Sequence, residues 1–146
     1  MSQALVKAWY QGHWALSLLK PLSLLYRAIT TVRRFAYQQG YLASQRFDLP
    51  VIVVGNITAG GTGKTPLTLA IVEFLKQQGY RPAIVSRGYG GQTEYPAQVT
   101  INSTAQQVGD EPLLMFLQSQ VPVVVAPKRA QAVAYLQAKQ LADVVI

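Results

Sequence analysis

Cysteine is absent from this 146-residue sequence, histidine occurs once, and only six residues are acidic. Without cysteine the chain can form neither disulfides nor thiolate metal sites, which fits a reducing cytosol. Charged residues make up 13% of the chain and apolar residues half of it, so the composition excludes an intrinsically disordered protein. The length allows one ordinary domain with one sizeable core.

The N-terminus also lacks the sequence features of export and of membrane crossing. It has no basic start followed by an apolar core and a small-residue cleavage site, so we expect no cleavable signal peptide. The longest uncharged apolar stretch before Lys20 is far shorter than the roughly 20 residues that cross a bilayer. A membrane-spanning helix is therefore not predicted there.

Basic charge is present in excess and is concentrated at the N-terminal end. Residues 1–50 carry six basic residues and one acidic residue, whereas the remainder carries seven and five. A basic excess attracts nucleic acid, anionic lipid or a phosphorylated substrate. Its confinement to an apolar-rich end favours anionic lipid, and we predict no nucleic-acid partner.

Residues 14–38 have the periodicity of an amphipathic helix, which Pro21 either kinks or opens at its first turn. Lys20, Arg27 and Arg34 occupy the polar face. Cationic amphipathic helices with interfacial aromatics, here Trp9, Trp14 and Tyr26, are suited to the lipid headgroup layer, which is our prediction for this segment. The alternative is a helix that packs its apolar face on the domain behind it. That face comprises Ala15, Leu18, Leu19, Leu22, Leu25, Tyr26, Ile29, Val32 and Ala36.

After Pro50 the pattern changes to alternating strands and helices, which predicts an α/β fold with a mainly parallel sheet and flanking helices. We predict a membrane-associated segment over residues 1–48 and a second domain over 49–146. The first strand, 51–55, reads as buried on both faces. Helix 65–78 should gather Leu67, Ala70, Ile71, Phe74 and Leu75 on one face. The other predicted strands are 82–86, 98–101, 121–126 and 143–146, and the other helices are 111–118 and 129–140.

A glycine-rich segment joins the first strand to the first helix of this domain, as in phosphate-binding P-loops. Glycines let successive N–H groups point at one anion, and the helix N-terminus adds partial positive charge. Lys64 supplies a full charge for the β- and γ-phosphates, and the Thr65 hydroxyl can bind Mg²⁺. Thr58 stands where the strict motif has glycine. The predicted nucleotide site comprises Thr58, Ala59, Gly60, Gly61, Thr62, Gly63, Lys64 and Thr65.

Three further segments lie at positions where a P-loop protein has catalytic or ligand-binding residues. Ser86, Arg87 and Gly88 follow a strand at the sheet edge where ligands bind, although a plain surface turn is the alternative. Asp110 and Glu111 precede a helix, and spacing alone favours Asp110 as an N-cap over a catalytic base. Lys128 and Arg129 are either solvated charges or a phosphate clamp.

In their order, these segments resemble tetraacyldisaccharide 4'-kinase, the lipid A 4'-kinase of Gram-negative bacteria. The matching pieces are residues 50–58, residues 60–66, Ser86-Arg87-Gly88-Tyr89-Gly90 and Val108-Gly109-Asp110-Glu111-Pro112. Residues 123–129, residues 142–146 and the basic N-terminus continue the likeness, so it covers essentially the whole chain. Each motif alone is common, whereas the ordered set is specific.

The resemblance implies transfer of the γ-phosphate of ATP to the 4'-hydroxyl of a lipid disaccharide 1-phosphate. It implies a place at the cytoplasmic face of the bacterial inner membrane, on anionic lipid. By motif, Lys64 binds phosphate and Thr65 binds Mg²⁺. Asp110 matches the proposed catalytic base, Glu111 becomes a metal-site or base-supporting acid, and Arg129 stabilises charge on the transferring group.

The family pattern continues beyond the last strand of this sequence. In the family, the strand that matches residues 143–146 runs into the Walker B acids, and a further domain follows. We therefore expect an N-terminal portion truncated before those acids. Two rival functions stay open: a P-loop ATPase or GTPase that switches a partner, and a non-catalytic fragment that binds nucleotide.

Overall fold

The structure, a computed structural model, describes residues 20–55 and 63–146. Its contacts divide the chain into two units, residues 1–45 and 46–146. In the first unit, helix α1 spans Lys20–Gln38, and no residue within that span is buried. The helix ends in a turn at Gly40, whose φ is 78°. The Leu42 amide closes this turn by donating to the Ala36 carbonyl at 3.2 Å.

Part of the predicted N-terminal helix, residues 14–19, lies outside the described residues, as do Trp9 and Trp14. Within the described segments, none of the helices combines the length and the apolar character that a bilayer crossing requires.

The second unit contains a four-stranded sheet in the order β2-β3-β1-β4. Strand β1 is parallel to β3 and to β4, whereas the short β2 is antiparallel to β3. The prediction of an α/β fold with a mainly parallel sheet is confirmed. The elements of this unit are α2 (Lys64–Gln77), β1 (Pro82–Ser86), β2 (Ala97–Gln98), α3 (Ala105–Val108), α4 (Asp110–Ser119), β3 (Val123–Val125), α5 (Arg129–Ala138) and β4 (Val144–Val145).

Strand β3 shows why the sheet is covered on both faces. Val123 and Val125 belong to one buried cluster, which includes Met115 of α4, while Val124 belongs to another, which includes Leu136 of α5. Successive side chains of a strand point to opposite faces, so an all-valine strand needs apolar cover on both. Helices α2 and α4 supply it on one side and α5 on the other.

The segment before the glycine-rich loop differs from its prediction. It pairs with β4 through a parallel bridge from Val51 to Val145, and the Ile52 amide donates to the Val145 carbonyl at 2.7 Å. Ile52 and Val54 pack on the core, but Val53 is 86% exposed. Burial on both faces was therefore wrong, because within the described residues this segment forms the edge of the sheet.

Two other local predictions were wrong in part. On α2 the buried residues are Thr68 and Val72. Of the predicted apolar face, Ile71 and Leu75 pack against the core, whereas Leu67 and Phe74 are exposed. The strand predicted over 98–101 ends at Gln98, and a turn follows in which the Ser103 amide donates to the Thr100 carbonyl.

Candidate phosphoryl-transfer site

The described end of the glycine-rich loop leads directly into α2. Gly63 takes the N-cap position with a φ of 73°, a left-handed conformation that glycine adopts without steric cost. Lys64 and Thr65 form the first turn of the helix, where backbone N–H groups and the helix dipole favour an anion. The other predicted nucleotide-binding residues lie outside the described residues: Thr58, Ala59, Gly60, Gly61 and Thr62.

A hydrogen bond joins the starts of two helices at this point. The Thr65 hydroxyl donates to Glu111 Oε1 at 2.5 Å. At the other end of the pair, Lys76 Nζ donates to the Ser119 carbonyl at 3.3 Å. Helices α2 and α4 therefore run side by side in the same direction, and both N-termini face the site.

A cavity of 440 Å³ brings together four residues that the sequence singled out in separate motifs. Lys64, Ser86, Glu111 and Arg129 all line it, beyond the carboxyl ends of the parallel strands. This is the edge at which open α/β sheets bind ligands. The two cations give it the charge that a polyphosphate requires.

A second cleft, of 740 Å³, opens on the other side of Glu111 and contains Asp110 and Thr65. Asp110 is exposed and is the first residue of α4, while Gly109 occupies the cap position. The interpretation of Asp110 as the N-cap was therefore wrong. The remaining lining residues are Pro66, Leu69, Leu114 and Gln118.

The loop after β1 is fitted closely against the chain that precedes α4. A Cβ on Gly91 would lie 2.5 Å from the Gln107 carbonyl oxygen, and one on Gly109 would lie 2.7 Å from that of Tyr89. Such distances exclude any side chain unless the backbone moves. The glycines of both motifs thus have a packing role that the sequence analysis missed, although their clustering in two motifs was the available signal.

A hydrogen bond within the loop after β1 and a close packing contact with β3 also hold this loop in place. The Tyr95 hydroxyl donates to the Gly91 carbonyl at 3.1 Å, and a Cβ on Gly88 would lie 3.0 Å from Val125 Cβ. No pattern in the sequence marked Tyr95 for this role. Of the predicted substrate residues, Ser86 lines the 440 Å³ cavity, whereas Arg87 and Gly88, both described, line neither cavity.

Comparison with known proteins assigns the chain to a family. The family model described as Tetraacyldisaccharide-1-P 4'-kinase matches residues 15–146. The chain belongs to this family. Curated relatives named tetraacyldisaccharide 4'-kinase include that of Tolumonas auensis, 49% identical over 96% of the chain, and that of Shewanella frigidimarina, 45% identical over 100%. The chain spans 43% and 44% of these two relatives' lengths.

A solved structure supports the same family. The crystal structure of LpxK from Aquifex aeolicus, described as an "apo" form in complex with ATP, is 32% identical to the chain and aligns with a TM-score of 0.68. The alignment covers 89% of this chain and 42% of that one. The P-loop fold class predicted from the sequence is thereby confirmed.

Proposed function

We propose that this chain carries the ATP-binding and acceptor-activating part of a tetraacyldisaccharide 4'-kinase. The convergence of Lys64, Glu111 and Arg129 on one cavity, with Asp110 beside it, is the observation that carries the proposal. Membership of the kinase family supports it, as does the presence of ATP in the Aquifex aeolicus structure.

The proposed reaction is an in-line phosphoryl transfer from ATP to the 4'-hydroxyl of the lipid disaccharide 1-phosphate. Asp110 accepts the hydroxyl proton as the oxygen bonds to the γ-phosphorus and the bond to ADP breaks. Lys64 and Arg129 offset the negative charge on the phosphoryl oxygens. Ser86 lies at the same cavity. Arg87, which is exposed on the loop that follows, is a proposed substrate contact, and Gly88, which is buried against Val125, is proposed to position that loop.

Mg²⁺ fits the donor set at this site. The Thr65 hydroxyl and the Glu111 carboxylate are adjacent, and both are oxygen ligands of the type that Mg²⁺ prefers. Bound there, Mg²⁺ would neutralise charge on the β- and γ-phosphates. Within residues 20–55 and 63–146, no group of three acidic or histidine side chains could hold a metal by itself. Phosphate oxygens of the nucleotide are further ligands of the type that Mg²⁺ accepts.

Nucleotide binding is tested by calorimetry with Mg-ATP. Lys64→Ala should weaken binding by about tenfold or more, because it removes a charge-assisted contact to phosphate. Lys139→Ala is the matched control, since it removes the same charge from the end of α5 and should leave the affinity unchanged. Equal affinities for Lys64→Ala and the unaltered chain would refute the phosphate site.

Catalysis is tested by transfer of labelled phosphate from ATP to the lipid acceptor in mixed micelles. Because the chain spans less than half of its relatives, the assay compares it with a fusion to the remaining part of the Tolumonas auensis relative. We expect transfer by the fusion and negligible transfer by the 146-residue chain alone. In the fusion, Asp110→Asn should lower turnover by roughly a hundredfold or more with little change in ATP affinity. Phosphate release without transfer to lipid would favour the rival ATPase function.

The first unit is proposed to hold the enzyme on anionic lipid at the cytoplasmic face of the inner membrane. Along α1, Leu22, Leu25 and Ile29 form an exposed apolar stripe, with Arg27 and Arg34 on the opposite face. Co-sedimentation with anionic vesicles should weaken as salt rises and should weaken further in Arg27→Glu/Arg34→Glu. Lys139→Glu serves as a single-charge control. Salt-independent binding that survives deletion of residues 1–45 would contradict the proposal.

A further inference from the structure

The 740 Å³ cleft beside Asp110 differs in chemistry from the cavity that contains Lys64. None of the described residues that line the cleft is basic, and two are acidic. Carboxylates without a bound cation repel a polyphosphate, so in this cleft nucleotide phosphates fit only at the Thr65–Glu111 pair proposed to hold Mg²⁺, whereas the cavity on the other side of Glu111 contains the basic side chains of Lys64 and Arg129. The distribution of charge thus favours phosphate in the 440 Å³ cavity and an uncharged group along the 740 Å³ cleft.

The walls of the cleft are mainly apolar and follow the two parallel helices away from the reacting end. Leu69 lies one turn beyond Thr65 on α2, and Leu114 and Gln118 continue the face of α4 that begins with Glu111. From Glu111 to Gln118 the helix extends about 10 Å. An elongated apolar group attached to the acceptor would therefore enter at the acids and lie between the helices.

We propose that this cleft binds a fatty acyl chain of the lipid acceptor, so that the chain positions the sugar hydroxyl at Asp110. The inference rests on the proposed kinase function, because that function supplies an acceptor with acyl chains. The cleft volume is within the range of about 300–1,000 Å³ that is usual for small-ligand sites, and a mainly apolar lining with a few polar groups is typical of them. Here Thr65, Asp110 and Glu111 are the polar residues at one end, and Gln118 is the polar residue at the other.

Helix α4 offers a matched pair of leucines for the test. Leu114 lines the cleft and is 47% exposed, whereas Leu117 is 52% exposed on the same helix and does not line it. Their similar exposure means that asparagine at either position should perturb folding equally little. A difference between the two variants would then report on the cleft.

The probe is a monoacylated glucosamine 1-phosphate below its critical micelle concentration, and its deacylated headgroup is the control ligand. Calorimetry with the 146-residue chain should show that Leu114→Asn weakens binding of the acylated probe by roughly tenfold, as expected for the loss of about one leucine-sized apolar contact. Leu117→Asn should change it by less than about twofold, and Gln118→Leu should tighten it because the apolar wall is extended.

Three outcomes would overturn the inference: equal effects of Leu114→Asn and Leu117→Asn, equal affinities for acylated and deacylated probes, or displacement of the acyl probe by ATP. If Mg-ATP still binds in a Lys64-dependent manner in those cases, the acyl site alone fails. If acyl binding depends on Leu114 while the fusion protein transfers no phosphate, the acyl site stands and the proposed kinase function fails.

Discussion

The two units of this chain treat apolar side chains in opposite ways. In the second unit, Val123, Val124 and Leu136 are completely buried between the sheet and its helices. In the first, α1 has a more pronounced apolar face than any of the longer helices of the second unit, yet Leu25 and Ile29 are each 57% exposed. Periodicity therefore identifies a helix face that avoids water but does not reveal whether protein or another medium covers it.

The largest expected effect tests this comparison directly. Leu136→Ala in the second unit should lower the free energy of unfolding by about 2–5 kcal/mol, because a cavity replaces a buried side chain. Ile29→Ala in α1 should change it by less than about 0.5 kcal/mol, since an exposed residue leaves no cavity. Urea unfolding followed by circular dichroism measures both. A comparable loss for Ile29→Ala would show that protein covers the apolar face of α1 in solution.

The fold of the second unit could be predicted because its signals are local and repeated. Strand β1 was predicted with the bounds observed, since Gly79 stops the preceding helix and a compact apolar run follows. Residues 51–55 show the limit of this reasoning. Their β-branched run is typical of a central strand, but whether a strand has neighbours on one side or both depends on the whole topology.

The sequence allowed the motifs of the site to be predicted, but not which of their side chains lie next to each other in the folded structure. Lys64 was assigned to phosphate from its own segment and Arg129 only through the family resemblance, and the structure brings them to one cavity. The contact between Thr65 and Glu111 joins residues 46 positions apart, and no sequence period reports such a pair. The acidic and apolar cleft was missed for the same reason, because its walls come from two helices.

A smaller difference in stability is expected between two glycine-to-alanine substitutions, one at a closely packed glycine of the second unit and one at a glycine of the first unit that has no close neighbours. Gly109 has a φ of 92°, and a Cβ there would meet the Tyr89 carbonyl oxygen, so Gly109→Ala should cost about 3 kcal/mol from left-handed strain and a backbone clash. Gly40 has a φ of 78° with no neighbour within 4 Å of a Cβ. Gly40→Ala should therefore cost only about 1 kcal/mol.

Thermal unfolding of the two alanine variants, with circular dichroism as the readout, measures that difference. Equal losses would mean that the loop after β1 can move away from Gly109. The close fit between the two motifs would then not be required for stability.

The smallest effect concerns an exposed ion pair at the opposite end of the strands from the site. Arg81 Nη2 lies 2.6 Å from Asp143 Oδ1, and the Arg81 amide donates to Asp143 Oδ2. Hydrogen bonds from the Arg81 side chain and then from its amide lower the pKa of Asp143 below its ordinary value of 3.8. The folded state therefore favours the charged carboxylate more than the unfolded state does.

A lowered carboxylate pKa contributes stability that is fully present above the unfolded value and is lost as the pH falls through the folded one. Asp143→Asn should therefore be slightly less stable than the unaltered chain at neutral pH, and the two should converge below about pH 4. The difference should stay small and shrink in high salt, because the Arg81 side chain is largely exposed and that of Asp143 is partly exposed. Urea midpoints measured against pH test this, with Glu94→Gln as the control for loss of one negative charge. A difference that persists unchanged well below pH 4 would mean that Asp143 stabilises the strand ends through its shape and hydrogen bonds rather than through its charge.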